Sequence, residues 1–469
     1  MNKVRKTKMN LWLLAVGLLS MSSLSAQNAN RSLSLLEAKQ FAFDNNQTIK
    51  NAKIDVSIAK KKVFETTAIG LPQVSASANY QHLFNVPSFS FPTTGYTQSA
   101  LTFPGGVTPS GFEQFKSVGG LNQYVYAGEG YPISPKDNTV FKLQVSQLIF
   151  SGEYIVGLQA TKVFKLISEQ SLVKSRIEIG AMVESTYYLA LVLTENLQIV
   201  QQNKALTAQT LKEMVAMNKA GFNEQSDLDQ LQINLNLLGN LEVSLQGQLK
   251  NVNNQLKYQL GMELTDNLTL TDKLQDVIAT VSPFDGRELN IKQNIDFQMI
   301  ENNVSAQKLS LRREQSGYLP TLSAFYQHQE KQKAPALDFE PKDVLGITLS
   351  IPIFSSGSRL MKVKQAKLAL DKAENSQSQF EKGLSLQFDN QRLNYQTAYN
   401  TFTNQRESSE LSKRIFDKTT AKFKQGVSSS LELTQVQSQY LTTVSSYYNS
   451  VLSLLNARVE LQKLTAPSN

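Results

Sequence analysis

Residues 71–82, LPQVSASANYQH, alternate strictly between apolar and polar. Val74, Ala76, Ala78 and Tyr80 fall on one side, and Gln73, Ser75, Ser77, Asn79 and Gln81 on the other. A period of two predicts a β-strand with one apolar and one polar face. Residues 139–150 repeat the pattern, with Phe141, Leu143 and Val145 opposite Lys142, Gln144 and Ser146. Residues 343–354 repeat it again, with Leu345, Ile347, Leu349 and Ile351 opposite Gly346, Thr348 and Ser350. Each run has the length that a tilted strand needs to cross a bilayer.

The period changes to 3–4 after each second strand. Val363, Ala366, Leu370, Ala373, Phe380 and Leu384 mark a narrow helical seam. Gly152 to Gly221 spans 69 residues, as does Gly357 to Gly426, and neither interval contains proline. A helix of that length runs about 100 Å. Beyond each glycine an apolar stripe climbs back: Leu228, Leu231, Leu235 and Leu238 in one place, Leu433, Val436, Tyr440, Val444, Tyr447 and Val451 in the other.

Three stretches recur in the same order, which indicates an internal duplication. LPQVSASANYQH matches LPTLSAFYQH (319–328), VSQLIFSG (145–152) matches LSIPIFSSG (349–357), and GFNEQSDLDQLQ (221–232) matches GVSSSLELTQVQ (426–437). The expected first repeat is 27–287. It has strands at about 71–83 and 139–150, a long loop 84–138, a long helix at about 152–220, a return helix at about 227–260 and an equatorial segment 261–287. The expected second repeat is 288–469. Its strands lie at about 319–330 and 343–354, its long helix at about 357–425 and its return helix at about 432–464. Short helices over 47–70 and 288–317 complete the lengths of the return helices. The loop carries six of the 13 prolines and eight of the 23 glycines.

Composition adds the compartment. Lys3, Arg5, Lys6 and Lys8 precede an apolar stretch, Leu11–Met21, and then small residues. This predicts a signal peptide, 1–26. Beyond it no run approaches 18 apolar residues, so a membrane role would rest on strands. Four of the 47 basic residues and none of the 39 acidic ones lie in 1–26, leaving the mature chain at +4 with its charges interspersed. No basic patch interleaved with aromatics suggests nucleic acid. The absence of cysteine excludes disulfides, thiolate metal sites and a thiol nucleophile. No phosphate-binding glycine loop, HExxH or convincing triad suggests an enzyme, a metal or a cofactor. His82 and His328 occupy matching positions and read as rim residues beside Tyr80 and Tyr326. Four strands are too few to close a barrel, which needs about eight, and an open sheet in lipid leaves costly unpaired edges. Several chains would have to share one barrel.

The paired LP strand starts at Leu71–Pro72 and Leu319–Pro320, the two IFS(S)G junctions and the two glycine tips resemble the TolC family of outer-membrane efflux proteins. The resemblance covers the mature chain. It implies an α+β membrane protein of the Gram-negative outer membrane. A homotrimer shares a transmembrane β-barrel, four strands per chain and twelve in all, above a long antiparallel α-helical periplasmic tunnel. It implies a passive exit duct for small molecules or drugs in a tripartite export system, driven by an inner-membrane transporter. Its partners would be a periplasmic membrane-fusion adaptor, an inner-membrane transporter of the RND or ABC type, and outer-membrane lipid. The alternatives are the outer channel of a type I protein secretion system and, in another class, a soluble periplasmic coiled-coil scaffold.

The resemblance also implies sites. Glu432 and Asp227, six residues beyond their glycines, would form an acidic ring at the periplasmic entrance, with Asp229 as a further candidate. The plain alternative is an acid favoured by a helix N-terminus. Gly221, Gly426 and Phe423 would shape the tip turns. Phe423 and Ser428 stand where better-known members carry a tyrosine and an arginine, and Gln435 where they carry a second acid. Ser75, Ser77, Lys142, Gln144 and Ser350 would face the lumen, and Val74, Ala76, Leu143, Ile347 and Leu349 the lipid.

Overall fold

The computed structural model describes residues 30–86, 88–89, 92–97, 112–118, 121–127, 131–132, 134–220, 224–286, 288–334 and 338–466. The expected signal peptide and Gly221 lie outside them. The chain divides into two compact units, one formed by 60–163 with 306–371, the other by the remaining residues.

The first unit is built on a four-stranded antiparallel sheet. In chain order its strands are β1 (Gln73–His82), β2 (Asp137–Ser151), β3 (Thr321–Lys331) and β4 (Asp343–Ser350), and in space they run β4-β3-β2-β1. β4 ends four residues before the expected limit. Pro352 has no N–H to donate to a ladder, and Ile353 and Phe354 beyond it are almost fully exposed. The register shifts once, between Leu322 and Ser323 against β2. Gly346 is required by its neighbour: a Cβ there would lie 2.6 Å from the Phe325 ring, which lies over it from β3.

The expected loop 84–138 also contains strands. Ser88–Phe89 pairs with Tyr131–Pro132, and Leu121–Ala127 pairs with both Pro92–Thr97 and Phe112–Val118. Proline and glycine content pointed to a loop, but the aromatic and β-branched residues between them favour extended pairing.

The second unit is helical. Its elements include α1 (Leu35–Asn45), α2 (Gln47–Ala68), α3 (Gly152–Lys219), α4 (Gln225–Leu260), α5 (Leu274–Ala279), α6 (Ile295–Ser316), α7 (Ser358–Lys424) and α8 (Ser430–Thr465), several of which begin or end in the other unit. Sequence reasoning missed α1 and a short parallel ladder between Asn30–Leu33 and Asn267–Leu270. Tyr187, fully buried on α3, ties this region together. Its hydroxyl donates to the Leu33 carbonyl at 3.0 Å and accepts from the Asp272 N–H at 3.3 Å. Burial pushes its phenol well above the usual range, so it stays neutral.

Around Tyr187 lies the main core, with Ala42, Ile49, Val183, Leu256, Leu260, Leu274, Leu454 and Leu455. α3 contains an 18-residue window apolar enough to cross a membrane by composition, which the search for apolar runs overlooked; just over half of that window is buried within the protein. Two asparagines join helix ends. Asn46 donates to the Gln259 carbonyl (2.7 Å) and accepts from the Thr48 N–H (2.8 Å). Asn294 donates to the Leu464 carbonyl (3.1 Å) and accepts from the Asp296 and Phe297 N–H groups (3.0 and 3.1 Å). Each therefore caps a new helix while satisfying the end of a return helix.

Candidate functional site: two helix turns and two sheet faces

The turn between α7 and α8 follows from three small residues. Gly426 has φ +75°, a conformation costly for any residue with a Cβ. Its N–H donates to the Phe423 carbonyl and that of Val427 to the Lys422 carbonyl, both at 2.9 Å, which closes the helix in a Schellman arrangement. Ser429 then caps α8 by accepting from the Glu432 N–H at 3.1 Å, and the Ser428 hydroxyl donates to the Glu432 carboxylate at 2.7 Å. Glu432 is exposed in the first turn of α8, where the helix dipole also favours it. Phe423 packs with Met214, Leu228 and Leu231.

Asp227 occupies the first turn of α4 and accepts a hydrogen bond from the hydroxyl of Ser430, which is buried at the start of α8. The structure thus brings Asp227 to the beginning of the second return helix. Asp229 is separate: exposed, it accepts from the Gln225 amide at 2.9 Å. Ser428 entered the sequence reading only as a departure from the family's arginine, and Ser430 did not enter it. The available signal was the serine run before Leu431–Glu432, whose Ser-x-x-Glu spacing marks a helix start.

In the sheet, register sorts side chains more cleanly than any single strand. Val74, Ala76 and Ala78 lie opposite Val145, Leu143 and Phe141. Val145 lies opposite Tyr326, and Tyr326 opposite Leu345; Ala324 and Leu322 face Ile347 and Leu349. One apolar face therefore crosses all four strands. On the other face Ser75 and Ser77 lie opposite Gln144 and Lys142, which in turn oppose Gln327 and Gln329. Thr321, with the parity of Gln327, pairs with Ser350. Exposure does not distinguish the faces within one chain: Val74, Ile347 and Leu349 are exposed, and so are Ser75, Ser77, Lys142 and Ser350.

At one end of the apolar face two identical clamps occur. Tyr80 donates to Asp137 Oδ1 at 2.9 Å, and His82 Nδ1 lies 2.7 Å from the same oxygen. Tyr326 and His328 hold Asp343 Oδ1 in the same way, at 2.6 and 2.7 Å. Both histidines are thus partnered strand-end rings. Among the described residues no group of three His, Cys, Asp or Glu side chains is placed to hold a metal.

Residues 288–466 match the family described as outer membrane efflux protein. No curated protein matches the chain. Among solved structures, CusC, whose structures are described for folding and transmembrane channel formation, is 14% identical with a TM-score of 0.71, covering 95% of this chain and 96% of its own. The Campylobacter jejuni CmeC outer membrane channel is 17% identical with a TM-score of 0.66, covering 94% and 90%. The open state of the Neisseria gonorrhoeae MtrE outer membrane channel is 13% identical with a TM-score of 0.67, covering 92% and 89%. At these identities the structures establish the fold: the chain has the fold of these outer membrane channels, and its residues 288–466 match the outer membrane efflux protein family.

Proposed function

We propose that three copies of the chain close a twelve-stranded barrel, with the apolar face towards lipid and the polar face around a water-filled lumen, and that their helices form a periplasmic tunnel. In this reading the protein catalyses no reaction. It is the passive exit duct of a tripartite export system, driven by an inner-membrane transporter through a periplasmic adaptor. The observation that carries the reading is the sheet. Among the described residues its outer strands, β1 and β4, each pair on one side only, while its faces are sorted apolar and polar across all four strands. Unpaired strand edges are untenable in lipid, so the sheet must close with further strands, and a second copy supplies matching ones. The repeated asparagine junctions and Tyr-His-Asp clamps support an internal duplication. In this reading the sheet lies in the outer membrane, and the soluble scaffold is the reading set aside.

The entrance reading assigns Glu432, with Asp227 beside the start of α8, to an acidic ring repeated three times around the axis. Converging carboxylates attract cations. Divalent or trivalent cations on the periplasmic side should block single-channel current in planar bilayers, more strongly at low salt, where screening is weaker. Glu432→Gln should relieve most of the block, Asp227→Gln less, and the double change the most. Unchanged block in the double variant would remove these residues from the constriction and turn attention to Asp229.

A further inference from the structure

Deep in the helical unit, where three helices meet, lies a layer of neutral polar side chains. Gln437 on α8 is 3% exposed, Asn234 on α4 8%, and Asn203 and Thr207 on α3 6% and 4%. The Gln437 amide oxygen accepts from the Asn234 amide at 2.7 Å. Its nitrogen donates to the Thr207 hydroxyl at 3.0 Å and to Asn203 Oδ1 at 3.3 Å. Asn203 gives its own amide to the Ile199 carbonyl at 2.9 Å. The layer is closed, and no charge takes part in these bonds. The buried side chains on either side are mostly apolar, with Thr210 and Ser430 among the polar ones towards the turns. Towards the turns stand Met214, Leu228, Leu231 and Leu433; away from them stand Val200, Leu238, Leu245 and Tyr440.

The numbering carries the argument. Asn234 lies one heptad beyond Asp227 on α4, and Gln437 one heptad beyond Ser430 on α8. Asn234–Gln437 and Asp227–Ser430 are both bonded, so they are successive rungs between two helices running in the same direction. In an otherwise apolar seam, a slip of the helices by one heptad exchanges one leucine contact for another. The polar layer removes that freedom: a slip by one heptad sets Asn234 against Val444 in one direction and Gln437 against Leu241 in the other, so either leaves an amide without its partner. Such groups contribute little net stability and can specify one arrangement.

We propose that Gln437, with Asn234, Thr207 and Asn203, is a register pin: a set of positioning residues that fixes the level of α8 against the α3–α4 hairpin. The pin holds Ser430 on Asp227 and sets the height of Glu432 relative to the turns. This rests on helix packing alone, so it can fail while the channel reading stands.

The chain has no cysteine, so Asp227→Cys with Ser430→Cys gives one pair of thiols for a short bifunctional thiol reagent. These changes also remove the Ser430–Asp227 bond and leave the layer to set the register alone. In the full-length, detergent-extracted protein the native layer should give one cross-linked species in high yield. Making the layer apolar (Asn203→Leu, Thr207→Val, Asn234→Leu, Gln437→Leu) should lower that yield several-fold, with thermal stability unchanged or raised. A purely structural role predicts no loss of yield. Swapping the amides, Asn234→Gln with Gln437→Asn, should restore yield where Gln437→Leu alone does not. Equal yields from the native, apolar-layer and Gln437→Leu chains would overturn the proposal. If the apolar-layer chain does not fold, Gln437→Leu and the amide swap decide by the same comparison.

Discussion

The helical unit and the sheet unit bury their apolar residues in different ways. In the helical unit Tyr187, Leu256, Leu260, Leu454 and Leu455 are almost completely enclosed by the chain's own helices. In the sheet Val74, Leu345 and Ile347 are 68%, 80% and 71% exposed, although register has gathered them on one face. One unit completes its core within the chain. The other sorts its faces and leaves both open. Sorting is a property of the strand pattern, whereas burial depends on what comes to lie against it. A face this apolar, spread over four strands, needs a covering, and in the proposed barrel that covering is lipid.

The largest effect that follows is in the helical core. Leu455→Ala, at a fully buried position, should cost about 2–5 kcal/mol through lost transfer energy and the cavity left behind. Leu345→Ala removes the same atoms from a side chain that is 80% exposed among the described residues, and in the proposed barrel lipid refills the space. It should cost well under half as much. Thermal unfolding of the detergent-extracted protein, followed by circular dichroism, measures both. Equal losses would mean that Leu345 is covered by protein and would break the contrast.

The same contrast explains which parts of the structure were legible in the sequence. Alternation at 71–82 and the proline-free 69-residue intervals correspond to observed elements, Gln73–His82, Gly152–Lys219 and Ser358–Lys424, because period and length are local properties. The helical stripes were less readable. Sequence periodicity placed Leu235 and Val436 in the seam, whereas the structure buries Asn234 and Gln437 more deeply, one position away. A polar side chain can occupy a seam only when a partner from another helix satisfies it, and single-helix periodicity contains no information about that partner. The ladder between Asn30–Leu33 and Asn267–Leu270, and the bond from Ser430 to Asp227, join residues some 200 positions or more apart and were invisible for the same reason. The acids themselves were legible as helix-start residues, and the resemblance grouped them; the Ser430 hydroxyl that Asp227 accepts from was not legible.

The second effect tests what covers the sheet. Leu349→Arg places a cation on the apolar face and should cost about 2–4 kcal/mol if the position lies near the bilayer midplane. Ser350→Arg, on the next residue and the opposite face, should leave outer-membrane assembly intact, since long charged side chains are at home in water. The amount of folded protein recovered from outer membranes distinguishes the two. If both variants assemble equally well, or both fail, the assignment of the faces is wrong, even though the register that sorts them remains.

The smallest effect lies at a helix end, where neither core nor lipid contributes. Ser429 accepts from the Glu432 N–H, whereas Glu224, at the matching place before α4, makes no side-chain cap. Ser429→Ala should therefore cost about 1 kcal/mol. The loss should be local: helix ends open at lower free energy than cores, and the Ser428 hydroxyl still holds the Glu432 carboxylate. Amide hydrogen exchange should quicken over residues 430–433 while the amides around Leu454 and Leu455 keep their protection. Glu224→Ser, the converse change, should slow exchange at the start of α4 by supplying the missing acceptor. A fall in thermal stability after Ser429→Ala as large as that from Leu455→Ala would show the turn to be part of the cooperative core. In that case the helical unit would not be one buried centre with frayed ends, and its contrast with the sheet would rest on more than burial.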